Sequence, residues 1–244
     1  MTLILIISAA LATTTPTIEE AAAMVAACTA PGNCDVPCWD DAQRVTEPGP
    51  NGALQVNCLR DGVAHGPVVA WYENGQPLGV GYSKQGEPHG GAVSWHPNGK
   101  RASESMWVDG RREGRLRTWH ANGQIASQAH WRDGRQDGVA RFWHPNGQLD
   151  EAVEWLDGQP NGPMFSWHED GTLKAKTRFR NGARHGRWVL RYPSGRRSVV
   201  ARFRGGKAVH LRCWEPTGQQ TLCPTDVVAL FHEKVDLNAQ SPQD

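Results

Sequence analysis

The chain has 244 residues, and its 26 lysines and arginines against 25 aspartates and glutamates leave a net charge of +1. That balance excludes a protein that is polycationic or polyanionic as a whole, so any electrostatic partner must be met by a local patch. Eleven tryptophans against three tyrosines is a skewed aromatic usage, and most of the tryptophans recur at fixed spacings, which makes them structural first.

Residues 1–12 form an apolar run ending in Ala10-Leu11-Ala12. This is the pattern of a signal-peptide core and its small-x-small cleavage site, and the run is too short to remain as a membrane anchor. The chain is therefore expected to be exported, periplasmic or extracellular and envelope-associated, with no transmembrane segment in the mature form. Residues 13–57 read as an N-terminal cap. Within it residues 17–28 are the one good helix candidate, with Thr17 and Glu20 as a capping box and alanines filling the interior. Residues 29–57, rich in Pro, Gly and Cys, read as loop. A repeat array fills 58–218, and 219–244 form a C-terminal cap with a polar tail from Asn238 that is expected to be disordered.

The six cysteines, Cys28, Cys34, Cys38, Cys58, Cys213 and Cys223, all lie at the two ends of the array. An even number flanking a repeat suggests disulfides that staple the caps in an oxidising compartment. Cys213–Cys223 is the expected pair at one end, with the other four cysteines pairing among themselves. A zinc site fits poorly, since Cys28-x5-Cys34-x3-Cys38 contains no CxxC pair and has no histidine nearby. No metal or cofactor is expected.

The array shows itself in its glycines. One series runs Gly66, Gly90, Gly114, Gly138, Gly162, Gly186, a second from Gly62 to Gly206, a third from Gly75 to Gly195, each with a period of 24 residues. Three glycines in fixed phase define one supersecondary unit copied head to tail. Within a unit, turn signals such as Asp133-Gly134 and Asn146-Gly147 bracket about eight residues, the length of one strand. Each unit therefore reads as two antiparallel strands and two turns. The predicted fold is all-β, an elongated twisted array of antiparallel β-hairpins in six to seven copies, with a short helical, Cys-rich N-terminal cap. Alternation places Val68, Ala92, Leu116, Ala140, Met164 and Trp188 on one face, together with Tyr72, His96, His120, His144, His168 and Tyr192. The opposite parity carries an aromatic row, Trp71, Trp95, Trp119, Trp143 and Trp167, and the partner strand carries Trp107, Trp131, Trp155, Phe179 and Phe203.

The pattern aromatic-x-Asp/Asn-Gly-x3-Gly-x4-aromatic-aromatic-x-Asn-Gly, fullest at Trp131–Gly134, Gly138, Trp143-His144 and Asn146-Gly147, resembles the bacterial variant of the MORN repeat. Proteins with these repeats are often labelled antitoxins of the YwqK type, and eukaryotic relatives are lipid-associated or scaffolding proteins. The resemblance implies a stack of β-hairpins and no particular chemistry. This chain departs from the common pattern in placing His after Trp in four repeats, where Tyr is usual.

The recurring histidines His96, His120, His144 and His168 are the sharpest candidates for chemistry. Equivalent positions in successive hairpins lie two strands apart, roughly 10 Å, too far to share one ion whose ligands stand about 2 Å from it. They read instead as half-buried substitutes for an aromatic residue beside the turn. No Gly-x-Ser-x-Gly elbow, His-Glu-x-x-His pair or phosphate loop occurs, and catalysis is not expected.

Charge is distributed more tellingly. Residues 174–212 hold 13 Lys and Arg and no Asp or Glu, whereas residues 17–73 hold eight acidic residues and only Arg44 and Arg60. Arg178, Arg180, Arg184, Arg187, Arg191, Arg196, Arg197 and Arg204 are the candidate binding residues of this basic end, because guanidinium groups suit carboxylate and phosphate through a bidentate fork. The reading that follows is a non-catalytic exported scaffold or adaptor at the cell envelope. A protein partner is expected first and an anionic lipid or lipopolysaccharide surface second; nucleic acid is not expected. The alternative is an antitoxin or immunity-like protein that holds a toxin.

Overall fold

The computed structural model describes residues 15–26, 28, 36–49 and 53–232. The signal-peptide reading of 1–12, Cys34 and the C-terminal tail lie outside these residues. The chain divides into two compact units, Met1–Gly147 and Gln148–Asp244, each built from consecutive antiparallel strands.

The first unit opens with helix α1 (Ile18–Ala26). The Thr17 amide donates to Glu20 Oε2 at 2.7 Å and the Glu20 amide to Thr17 Oγ1 at 3.1 Å, so the capping box forms with both halves in place. The strands follow as β1 (Gln43–Pro48), β2 (Leu54–Arg60), β3 (Val63–Trp71), β4 (Pro77–Lys84), β5 (Glu87–Pro88), β6 (Gly90–Trp95), β7 (Arg101–Val108), β8 (Arg111–Trp119), β9 (Ile125–Arg132), β10 (Arg135–Gln136) and β11 (Gly138–Trp143). Strand pairing begins earlier than the sequence reading places it: β1 pairs β2 from Gln43↔Leu59 to Pro48↔Leu54, inside the segment expected to be loop. Cys38 is bonded to Cys58 at the start of this sheet, and Cys28 is disulfide-bonded as well.

α1 lies on the sheet face that carries Val56, Val69, Val80 and Val93, burying Ala21 and Val25 in the unit's core with Trp39, Trp71 and Tyr82. The close seat depends on Gly91, whose N–H donates to the Pro16 carbonyl at 2.8 Å. A Cβ there would run into the Thr17 carbonyl and stand 2.5 Å from the Ile18 nitrogen. This glycine belongs to none of the three periodic series.

The second unit contains β12 (Leu149–Leu156), β13 (Gln159–Trp167), β14 (Leu173–Arg180), β15 (Ala183–Arg184), β16 (Gly186–Arg191), β17 (Arg197–Arg204), β18 (Lys207–Trp214), β19 (Gln220–Thr221) and helix α2 (Thr225–His232). The helix is a correction, because the sequence reading places only one helix in the chain, at the other end. Phe231 anchors α2 on Val199, Ala201, Phe203 and Cys213, and the expected Cys213–Cys223 disulfide is present.

Two local devices repeat along both units. The Asp-Gly turns have both residues in the left-handed region, as at Asp109 (φ 45°) and Gly110 (φ 78°), the geometry that matches the twist of the flanking strands. At the opposite turn one strand carries an extra residue: Ser94 pairs Ser103 but Trp95 pairs Arg101, and Ser166 pairs Ala175 but Trp167 pairs Leu173. Such a bulge bends the strand and re-aims the side chain of the extra residue.

Candidate binding surfaces of the second unit

In β14 burial alternates strictly. Ala175, Thr177 and Phe179 are buried, whereas Lys174, Lys176, Arg178 and Arg180 are exposed. β17 repeats the pattern, with Val199, Ala201 and Phe203 buried and Arg202 and Arg204 exposed. The unit therefore has one apolar face and one basic face. On the basic face Arg187 stands directly opposite Arg202 in the register, an arrangement of like charges that costs stability in a sheet. Arg178, Arg180, Arg187, Arg202, Arg204 and Arg212 form no ion pair with a described residue.

Three of the arginines picked out by sequence have other positions. Arg184 is buried on the apolar face, with its guanidinium 5.0 Å from the Trp188 ring, 5.4 Å from Phe203 and 6.0 Å from Phe231. Burial lowers its pKa, and its guanidinium packs on the unit's own rings. Arg191 donates to the Gly195 carbonyl and Arg196 to the carbonyls of Pro216 and Thr217. Arg197 is exposed. The tryptophan row is not a uniformly exposed surface either. Trp71 is 2% exposed in the first unit's core and Trp95 packs against it, while Trp119, Trp143 and Trp167 are half-buried.

The apolar face of the second unit holds a groove of ≈ 380 Å³ beside α2, with a bed of Met164, Phe179, Trp188 and Leu190 and with Phe231 as a wall. Lys174, Arg191, His168 and Ser198 line its other end. Lys174 and Ser198 are the extra residues of the bulges in β14 and β17. Strict alternation assigns both to the basic face; the bulges turn them into the groove. Glu151 pairs with Ser166 on the same face. Its carboxyl is pushed up to about 7 by burial first and by Asp150 second, against a lowering by Lys174. A folded-state value above the unfolded one means that its ionisation destabilises the fold as pH rises from about 4.5 through about 7. Glu151→Gln is thus expected to leave stability at pH 4 unchanged and to raise it at pH 8 by up to about 3 kcal/mol. Urea denaturation at the two pH values checks this.

The histidine row has a definite task. His96 Nε2 lies 2.8 Å from the Trp119 carbonyl, His120 Nε2 2.7 Å from that of Trp143, and, in the second unit, His168 Nε2 3.1 Å from that of Arg191. A carbonyl only accepts, so each Nε2 carries the hydrogen. Tyr72 and Tyr192 do the same with their hydroxyls, donating to the carbonyls of Trp95 and Trp214 at 2.8 Å. Histidine replaces tyrosine here because either ring delivers one N–H or O–H to the next repeat. His120→Tyr should therefore leave thermal stability within experimental error, whereas His120→Ala, which strands a carbonyl, should cost about 1–2 kcal/mol in denaturant melts.

A second constellation, Thr15–His89–Asp109, has the order of a nucleophile–base–acid relay, with Nε2 at 3.5 Å from Thr15 Oγ1 and Nδ1 at 3.1 Å from Asp109 Oδ1. It is a turn post. The Asp109 amide lies 3.3 Å from His89 Nδ1, and the same offset joins Gln85 to His65, Asp133 to Glu113 and, in the second unit, Asn181 to Asn161.

Two-strand repeats closed by positive-φ turns and tied one to the next by side-chain-to-carbonyl bonds define an all-β hairpin-repeat protein. Residues 112–133, 136–157 and 160–181 match the MORN repeat variant, and the chain carries repeats of that family. No curated protein compared with the chain matches it. Among solved structures, the crystal structure of TarM matches with 10% identity and a TM-score of 0.26, covering 50% of this chain and 21% of that one; so slight a likeness bears on neither fold nor function. No helix among the described residues is long and apolar enough to cross a membrane.

Proposed function

We propose that the chain is an exported, non-catalytic binding protein, a scaffold or adaptor at the cell envelope, whose second unit holds an acidic protein surface on its basic face. The observation that carries this reading is the pairing of Arg187 with Arg202 among exposed arginines that have no ion partner in the described structure. A like-charged face of this density is a cost to the folded chain that an anionic partner offsets. Disulfides at both ends favour an oxidising compartment.

The test is crosslinked affinity capture of the tagged protein from its own envelope fraction, beside a variant with Arg178, Arg187, Arg202 and Arg204 changed to Ser. Arg184 is left intact because it packs inside the unit. An identified acidic protein recovered by the parent, released by salt and lost in the variant is the expected result. Equal recovery by both chains would overturn the assignment to this face. Retention on anionic vesicles without a protein partner would replace the protein by a lipid surface.

A further inference from the structure

The groove on the apolar face is not needed for the contact proposed above, and its lining is of a different kind. Along β14 it runs from Phe179 to Lys174, about 17 Å at roughly 3.3 Å per residue. Phe179, Met164 and Trp188 line one end, where the Arg184 guanidinium lies over the Trp188 ring, and Leu190 stands opposite Ala175 nearer the other. At the other end the bulge brings in Lys174, and the Arg191 main-chain carbonyl faces His168. Among the described residues no carboxylate lines the groove. Glu151, across from Ser166 on this face, has its ionisation opposed by burial and by Asp150 and favoured by Lys174. Phe231 closes one flank, which makes the site a bounded slot rather than an open sheet surface. Its volume of ≈ 380 Å³ falls in the range of pockets that enclose small organic ligands.

We propose that this groove binds a small hydrophobic anion, an aromatic or acyl body ending in one carboxylate-type group. The body lies on Met164, Trp188 and Leu190 against Phe231, and the anionic end meets Lys174. The apolar bed supplies the burial, and the cationic lining selects for charge.

The experiment uses the full chain and two dyes with similar ring systems. Anilinonaphthalene sulfonate is a fluorescent aryl anion, and phenylnaphthylamine is its uncharged counterpart. The sulfonate should fill a single saturable site and bind about tenfold more tightly than the neutral dye. Lys174→Gln should weaken the sulfonate by about tenfold and leave the neutral dye unchanged. Met164→Glu, which puts a carboxylate in the bed, should remove both. Matching circular dichroism spectra of the variants establish that the fold is kept. Equal affinity for the two dyes, or sulfonate binding that survives both substitutions, overturns the proposal. The capture experiment reads the opposite face of the same strands, so either idea can fail without the other.

Discussion

Phe231→Ala should lower the stability of the second unit by about 3–4 kcal/mol, the range for deleting a buried aromatic side chain whose site cannot collapse. Phe231 is 3% exposed, and its ring stands 5.8 Å from that of Phe203 and 6.2 Å from that of Trp188, with the Arg184 guanidinium beside it. These partners belong to strands of a single sheet, and among the described residues α2 is what lies over them. Removing the ring therefore loosens α2 as a whole and admits water to Arg184. Urea unfolding followed by tryptophan fluorescence should report both changes, because Trp188 sits at the contact. A loss below about 1 kcal/mol would show that α2 is not an integral part of the unit.

Gly91→Val is the counterpart in the first unit. The added side chain meets backbone, the Thr17 carbonyl and the Ile18 nitrogen, rather than a flexible side chain that could swing aside. α1 must then lift from the sheet, exposing Ala21, Val25 and the valine row beneath. A cost of about 3 kcal/mol is expected, at the upper end for overpacking. Amide exchange should speed up in Ile18–Ala26 and stay slow in β7 to β9. Unchanged protection of α1 would mean that the helix is not seated through Gly91.

The periodic part of this chain was legible because period and turn chemistry are local. Glycines in phase and Asp-Gly pairs specify hairpins without knowledge of what packs on them, and the Thr17–Glu20 box specifies a helix start in four residues. What escaped was everything that depends on a second layer. Gly91 looks like one more glycine in a glycine-rich repeat, and only its distance from Pro16 and Thr17 gives it a meaning. Helix α2 spans eight residues, too few for periodicity to separate it from a loop, although Thr225 and Asp226 after Pro224 are a start signal that could have been used. The count of arginines at residues 174–212 located the charge, but a count does not distinguish Arg202, which faces solvent, from Arg184, which faces three aromatic rings. Lys174 is a different case. Alternation assigns faces only while the register is unbroken, and the bulge breaks it at that residue.

The bonds from Tyr72, His96, His120, His168 and Tyr192 each end on a main-chain oxygen one repeat further on. A main-chain oxygen is present whatever residue stands there, so the joint between neighbouring repeats does not depend on the identity of the side chain that follows. Copies can be gained or lost by recombination in whole periods, with each new junction as good as the old, whereas a gain of half a period would set a ring opposite the wrong turn. Copy number is thus free to drift, and the residues that resist drift are the ones that recognise an end, Gly91 beneath α1 and Phe203 beneath α2.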